Sequence, residues 1–179
     1  FTERKVLLVN LSQAQLGSEG AQLLGSLLMG ALWSAIQQRG SLAPERRHPV
    51  FIYLDEFQQL LRLPVDLTDA LATARGLGVG LVLAHQNLDQ LTGSIKSAVL
   101  ANARSRIVFA TGHDDARVLS RVLGGGLTPE DLQSLGAYET YQALCAGGVT
   151  MAPASARTLD LPPATGSLAT VRRRSAAHF

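Results

Sequence analysis

Cys145 is the single cysteine in 179 residues, which excludes an intramolecular disulfide and any zinc site built from several thiolates. Lysine is almost as scarce, because Lys5 and Lys96 are the only lysines among sixteen basic residues and the rest are arginine. Sixteen bases against fourteen acids leave a net charge of +2, too little for binding nucleic acid by bulk electrostatics, so any DNA contact must be local. No long apolar run is present: the charge-free stretch between Glu19 and Arg39 is interrupted by Gln22, Ser26, Ser34 and Gln37 and falls short of a clean membrane span. His48, His85, His113 and His178 lack metal-ligand spacing. There is no internal repeat and no Gly-x-x-x-x-Gly-Lys-[Ser/Thr], the loop that cradles nucleotide phosphates. The chain opens at Phe1 without Met or a signal-peptide pattern, and it is expected to be a fragment of a longer protein.

What is present is a 46% hydrophobic complement, enough for a substantial single-domain core. Lys5 to Asn10 and Val50 to Leu54 are short apolar runs without helical periodicity, which predicts strands buried on both faces. Between them Leu23, Leu24, Leu27, Leu28, Ala31, Leu32, Ala35 and Ile36 recur at three- and four-residue spacing, predicting an amphipathic helix from Gly17 to near Gly40. A helix over 67–75 follows, with Asp66 as its N-cap and Gly76 as its stop. Further strands are expected at 79–84 and 106–110, and helices at 94–103 and 114–123. This alternation predicts an α/β fold, a parallel sheet flanked by helices. Thr128 caps a short helix with Pro129 at its first position, and 138–145 with 149–152 form a short antiparallel C-terminal edge. The domain is expected to span 1–152. From Pro153 to residue 179 the composition turns to Pro, Ala, Ser and Thr, with Arg172, Arg173 and Arg174, and predicts a mostly disordered tail or linker.

In an open parallel sheet, ligands sit beyond the carboxyl ends of the strands. The second apolar run ends there in Asp55 and Glu56, the third in His85 and Gln86. Asp55 stands where an NTPase holds Mg²⁺ through water, Glu56 where a carboxylate polarises the attacking water, and Gln86 where a carboxamide reaches the γ-phosphate. The same two carboxylates also complement the dipole of a helix beginning near Phe57, and Arg75 suits a helix C-terminus as well as it suits an arginine finger. Gly76, Gly78 and Gly80 are not a dinucleotide fingerprint, since they leave a helix and enter a strand. Arg104 and Arg106 flank a strand and are candidates for a pore or subunit interface.

Val50 to Phe57, the step Ala74-Arg75-Gly76, Leu83 to Leu91, and Asn102 leading into Arg106 to Phe109 resemble, in order and separation, the C-terminal part of the motor domain of TraG/TraD-type conjugative coupling proteins. Their wider kin are the HerA and FtsK DNA pumps. The resemblance covers about residues 5 to 150. It implies a partial RecA-like P-loop NTPase fold with ATP and Mg²⁺ as cofactors, Asp55 as the Walker B ligand, Glu56 as catalytic glutamate, Gln86 as sensor and Arg75 as an arginine acting in trans. It further implies a homo-hexamer passing DNA through a central pore, relaxosome or secretion-channel proteins as partners, and a membrane anchor upstream that places the protein at the cytoplasmic face of the bacterial inner membrane. In some family members the region after Gln86 docks the relaxosome protein TraM. Two other readings stay open, a non-catalytic partner-docking module and a soluble HerA-like pump in DNA-end processing.

Overall fold

The computed structural model describes residues 5–60 and 67–177. Asp66, the expected N-cap, and His178 lie outside them. The described chain is mixed α/β, with helices around three small sheets.

Helix α1, Gln13–Gln38, is interrupted at Gly17, whose φ of 71° and ψ of 163° are not helical, so its continuous part starts where the sequence periodicity does. It buries Ala21, Gly25, Met29 and Ile36. Leu23, Leu24 and Leu27 are exposed instead. The apolar residues extend around too much of the cylinder for all to face the core, and Ala21 and Gly25 are the small ones that permit close approach.

Strands β1, Val50–Leu54, and β2, Val79–Leu83, pair in parallel, Val50 opposite Val79 through Leu54 opposite Leu83. Val50, Ile52 and Leu54, with Val79, Leu81 and Leu83, turn toward the cores beneath α1 and α2 (Leu67–Thr73), where Phe57, Leu88 and Ile36 are almost wholly buried. Burying side chains of that size contributes about 1.5–3 kcal/mol each. The other face is open: Phe51 is 64% and Tyr53 73% exposed, so β1 is covered on one side, not two. A 3-10 turn, Ala74–Leu77, links α2 to β2, and Gly78 closes it at φ 72°. Gly78, not Gly76, is therefore the residue that takes the left-handed conformation an L side chain resists.

Two further expectations are corrected. Residues 5–10 form no strand, and Val6 to Val9 are exposed, because an apolar run becomes a strand only where another edge accepts its hydrogen bonds. After α3, Gly93–Asn102, strand β3, Arg106–Val108, does not extend the parallel sheet. It pairs antiparallel with β4, Glu139–Ala143. The parallel sheet thus has two strands among the described residues.

β3 and β4 pack with α4, His113–Leu123, and α5, Pro129–Gln133, around Val108, Ala116, Leu123, Leu132 and Ala143. Cys145–Ala146 (β5) and Val149–Thr150 (β6) make a small hairpin. Composition marks residues from 153 onward as a tail or linker, yet Ala154–Arg157 forms β7 beside β4, and Leu168–Ala176 forms helix α6, which carries Arg172, Arg173 and Arg174. No helix of the described residues is long and apolar enough to cross a membrane.

Thr128 and Asp131 cap α5 reciprocally: the Thr128 hydroxyl accepts the Asp131 N–H, and Asp131 Oδ2 accepts the Thr128 N–H at 2.8 Å. Those bonds from the Thr128 backbone and hydroxyl hold the Asp131 carboxyl below its ordinary pKa of 3.8. A depressed folded pKa contributes stability that is complete above the unfolded value and disappears as pH falls through the folded one. The difference in urea stability between wild type and Asp131→Asn should accordingly be constant near neutrality and shrink as pH drops below about 4. A difference that does not change down to pH 2 would contradict this linkage.

Candidate functional site at the carboxyl ends of the parallel strands

The hydrogen bonding that joins β1 to β2 continues past both strands. The Ala84 N–H donates to the Leu54 carbonyl at 2.9 Å, and the Phe57 N–H donates to the Ala84 carbonyl at 3.1 Å. These bonds hold the segments 55–57 and 84–86 side by side. Gln86 Nε2 then donates to Glu56 Oε1 at 2.6 Å, while Gln58 Nε2 donates to Glu56 Oε2. The Glu56 carboxylate is thus gripped by two carboxamides, one on each oxygen.

The backbone of Glu56 has a φ of 49°, in the left-handed region that non-glycine residues avoid. That turn swings the side chain toward Gln86 instead of continuing the strand alternation. Asp55 is exposed, and its Oδ1 accepts the Glu56 N–H at 3.1 Å, bracing the turn. Below it, the ring of His85 meets Phe57 edge to face, with centroids 5.6 Å apart. Phe57 opens a 3-10 turn, Phe57–Leu60, instead of the helix expected there. Gln58 Oε1 and His85 Nδ1 are buried without a hydrogen-bond partner, so the cluster keeps polar capacity for a further group.

Among the four residues singled out in the sequence, Glu56 and Gln86 touch and Asp55 adjoins them. Arg75 does not. It is exposed in the turn that precedes β2, whereas Gln86 follows β2, and five residues of strand put about 16 Å between the two ends. That far end is built from other arginines. Buried Arg39 donates to the carbonyls of Leu77, at 3.1 Å, and His48, while Arg47 donates to those of Leu42, Gly76 and Gly40 at 2.9, 2.6 and 3.1 Å. Together they tie the end of α1 to the entrances of β1 and β2.

Arg106 is used in the same structural way. Its guanidinium donates to the Leu100 carbonyl at 2.6 Å, and burial lowers its pKa from the ordinary arginine value. Arg104 donates to the Gly148 carbonyl. Each holds a carbonyl of its own chain, and Arg104 remains exposed.

Sequence reasoning missed Gln58 and the positional role of His85. Gln58 is a glutamine near a strand end with no spacing to flag it, and for His85 the sequence offers its place at the end of the third apolar run but no sign of its packing on Phe57.

Residues 49–129 match the family model described as the TraM recognition site of TraD and TraG. The match supports a conjugative coupling protein of the TraG/TraD type, and its span includes Asp55, Glu56, Arg75 and Gln86. No curated protein matches the chain.

The left-handed turn at Glu56 yields a stability prediction. Glu56→Gly removes a backbone cost of about 1 kcal/mol and forfeits two exposed or half-buried carboxamide contacts. Urea unfolding is expected to show Glu56→Gly at least as stable as wild type. A loss of more than about 1 kcal/mol would mean that the carboxamide grip outweighs the backbone strain.

Proposed function

We propose that this chain supplies the Walker B and sensor portion of a RecA-like motor in an ATP-driven, DNA-translocating coupling protein for conjugation. The observation that carries the reading is the 2.6 Å hydrogen bond from Gln86 to Glu56 across the carboxyl ends of two adjacent parallel strands. In such sheets that edge is where ligands bind. The match of 49–129 to the family model described as the TraM recognition site of TraD and TraG supports a coupling-protein context for the reading.

In this reading Glu56 orients and polarises the water that attacks the terminal phosphate, and Gln86 exchanges its contact with Glu56 for one with that phosphate. Asp55 suits a hydrated Mg²⁺: it is an exposed carboxylate with no ion pair among the described residues. The ion, when bound, neutralises charge on the phosphates. The 179 residues hold no phosphate-cradling Gly-Lys-[Ser/Thr] loop, so the reading requires that loop from outside this segment. Arg75, at the opposite end of β2, serves as an arginine offered to a neighbouring subunit's nucleotide, which calls for a ring, in this family a hexamer around DNA. A membrane anchor outside the segment would hold that ring at the cytoplasmic face of the inner membrane.

A second reading is favoured by the description of the matched family model: the segment 49–129 docks the relaxosome protein TraM, with or without catalysis. DNA-stimulated ATPase activity of the intact protein carrying Glu56→Gln separates the two. Loss of a general base predicts a fall of about 100-fold or more. An undiminished rate, with TraM still bound, removes Glu56 from catalysis and leaves docking as the function. Arg75→Ala subunits mixed with Asp55→Ala subunits are expected to recover part of the activity each lacks alone. No recovery at any mixing ratio would place Arg75 outside a shared site.

A further inference from the structure

Asp115 is one of few charged side chains that the fold buries, at 9% exposure. It stands in the first turn of α4, where the helix dipole favours a carboxylate, but its neighbour Asp114 occupies the same turn and is exposed. What distinguishes Asp115 is its contact. Its Oδ2 accepts the backbone N–H of Leu88 at 2.9 Å, a bond that joins residues 27 apart in the chain. Leu88 is 1% exposed and belongs to the core around Phe57, Ala70, Leu91 and Val99. Ala116, directly after Asp115, is wholly buried in the other core, with Val108, Leu123, Leu132 and Ala143. The carboxylate therefore pins one core to the other through a buried, charge-assisted hydrogen bond.

The pin sits two residues beyond Gln86. On the near side of Gln86, Ala84 is fixed by its N–H to the Leu54 carbonyl and by its carbonyl to the Phe57 N–H. On the far side, Leu88 is fixed by Asp115. His85, Gln86 and Asn87 are the only residues between these anchors, and the His85 ring already rests against Phe57. A loop so short, held at both ends, fixes the Gln86 backbone at the place from which its carboxamide reaches Glu56. We propose that Asp115 is the positioning residue for Gln86, and that through it α4 and the second core are coupled to the strand-end cluster. The positioning follows from the geometry alone, whereas its consequence for ATP turnover rests on the function proposed above.

The test is NMR of the 179-residue chain, following the Leu88 amide and the side-chain amide of Gln86. In Asp115→Ala the Leu88 amide is expected to exchange with solvent about tenfold faster or more. The Gln86 side-chain resonances should move to the positions that Glu56→Ala gives them, which mark a carboxamide released from Glu56. Asp115→Asn, whose side-chain oxygen still accepts, should restore both signals, and Asp114→Ala should disturb neither. Should Asp115→Ala fail to fold, Asp115→Ser, too short to reach Leu88, is read in the same way. Unmoved Gln86 resonances alongside a deprotected Leu88 amide would reduce Asp115 to a core tie and overturn the proposal. In the intact protein, Asp115→Ala should lower kcat for ATP with KM little changed, and Gln86→Ala added to it should cost no more. If Gln86 is released in the NMR experiment while Glu56→Gln leaves ATPase activity intact, the motor reading fails and the positioning stands.

Discussion

The parallel register of β1 and β2 is the constraint on which the rest of this chain depends. Leu54 stands opposite Leu83, and two backbone hydrogen bonds beyond that pair carry the alignment into the loops. Glu56 and Gln86 are 30 residues apart in sequence, and this register brings the segments that carry them side by side, so that carboxylate and carboxamide meet. A slip of one residue would turn every side chain of one strand to the opposite face. The inward row of Val79, Leu81 and Leu83 would then leave the core, which is why the buried face enforces the geometry of the exposed strand ends. The geometry of the rim is thus underwritten by apolar packing beneath the sheet.

The two ends of this small sheet have opposite chemistry. At its carboxyl end a carboxylate is held by amide donors, and at its amino end Arg39 and Arg47 are held by carbonyl acceptors. Burying the Arg39 guanidinium is costly unless its donors are satisfied, and the carbonyls of Leu77 and His48 provide that compensation, while half-buried Arg47 binds those of Gly40, Leu42 and Gly76. The result is a rigid frame at the end bearing Arg75. The opposite end is less saturated, with buried Gln58 Oε1 and His85 Nδ1 unpaired and Glu56 in a left-handed turn. Unpaired polar atoms and backbone strain concentrated at one rim are what a site poised to engage a further polar group requires.

Asp115 extends this logic past the sheet. It connects the rim loop to a helix whose own packing partners are β3, β4 and α5, so a displacement of Gln86 has a physical route into the second half of the molecule. The matched family segment, 49–129, ends where α5 begins and therefore encloses both the rim and the helix that pins it. A docking role for that segment and a catalytic role for its rim would share the same supporting structure.

The sequence by itself determined the local elements whose signals are local. Continuous apolar runs marked β1 and β2, the residues ending them marked the rim, and Thr128 with Pro129 marked the start of α5. It also showed that Asp55, Glu56 and Gln86 belong at one edge of a parallel pair. Tertiary structure decided everything that depends on a partner distant in the chain. The apolar run at 5–10 has the composition of a strand but no paired edge, β3 turned out antiparallel because β4 accepts it, and Phe51 and Tyr53 face outward because only one side of β1 is covered. Gln58 and Asp115 acquired their roles through contacts that no spacing encodes. The physical reason is that backbone propensity and side-chain polarity are properties of single residues, whereas a hydrogen bond or a buried face is a property of two segments brought together.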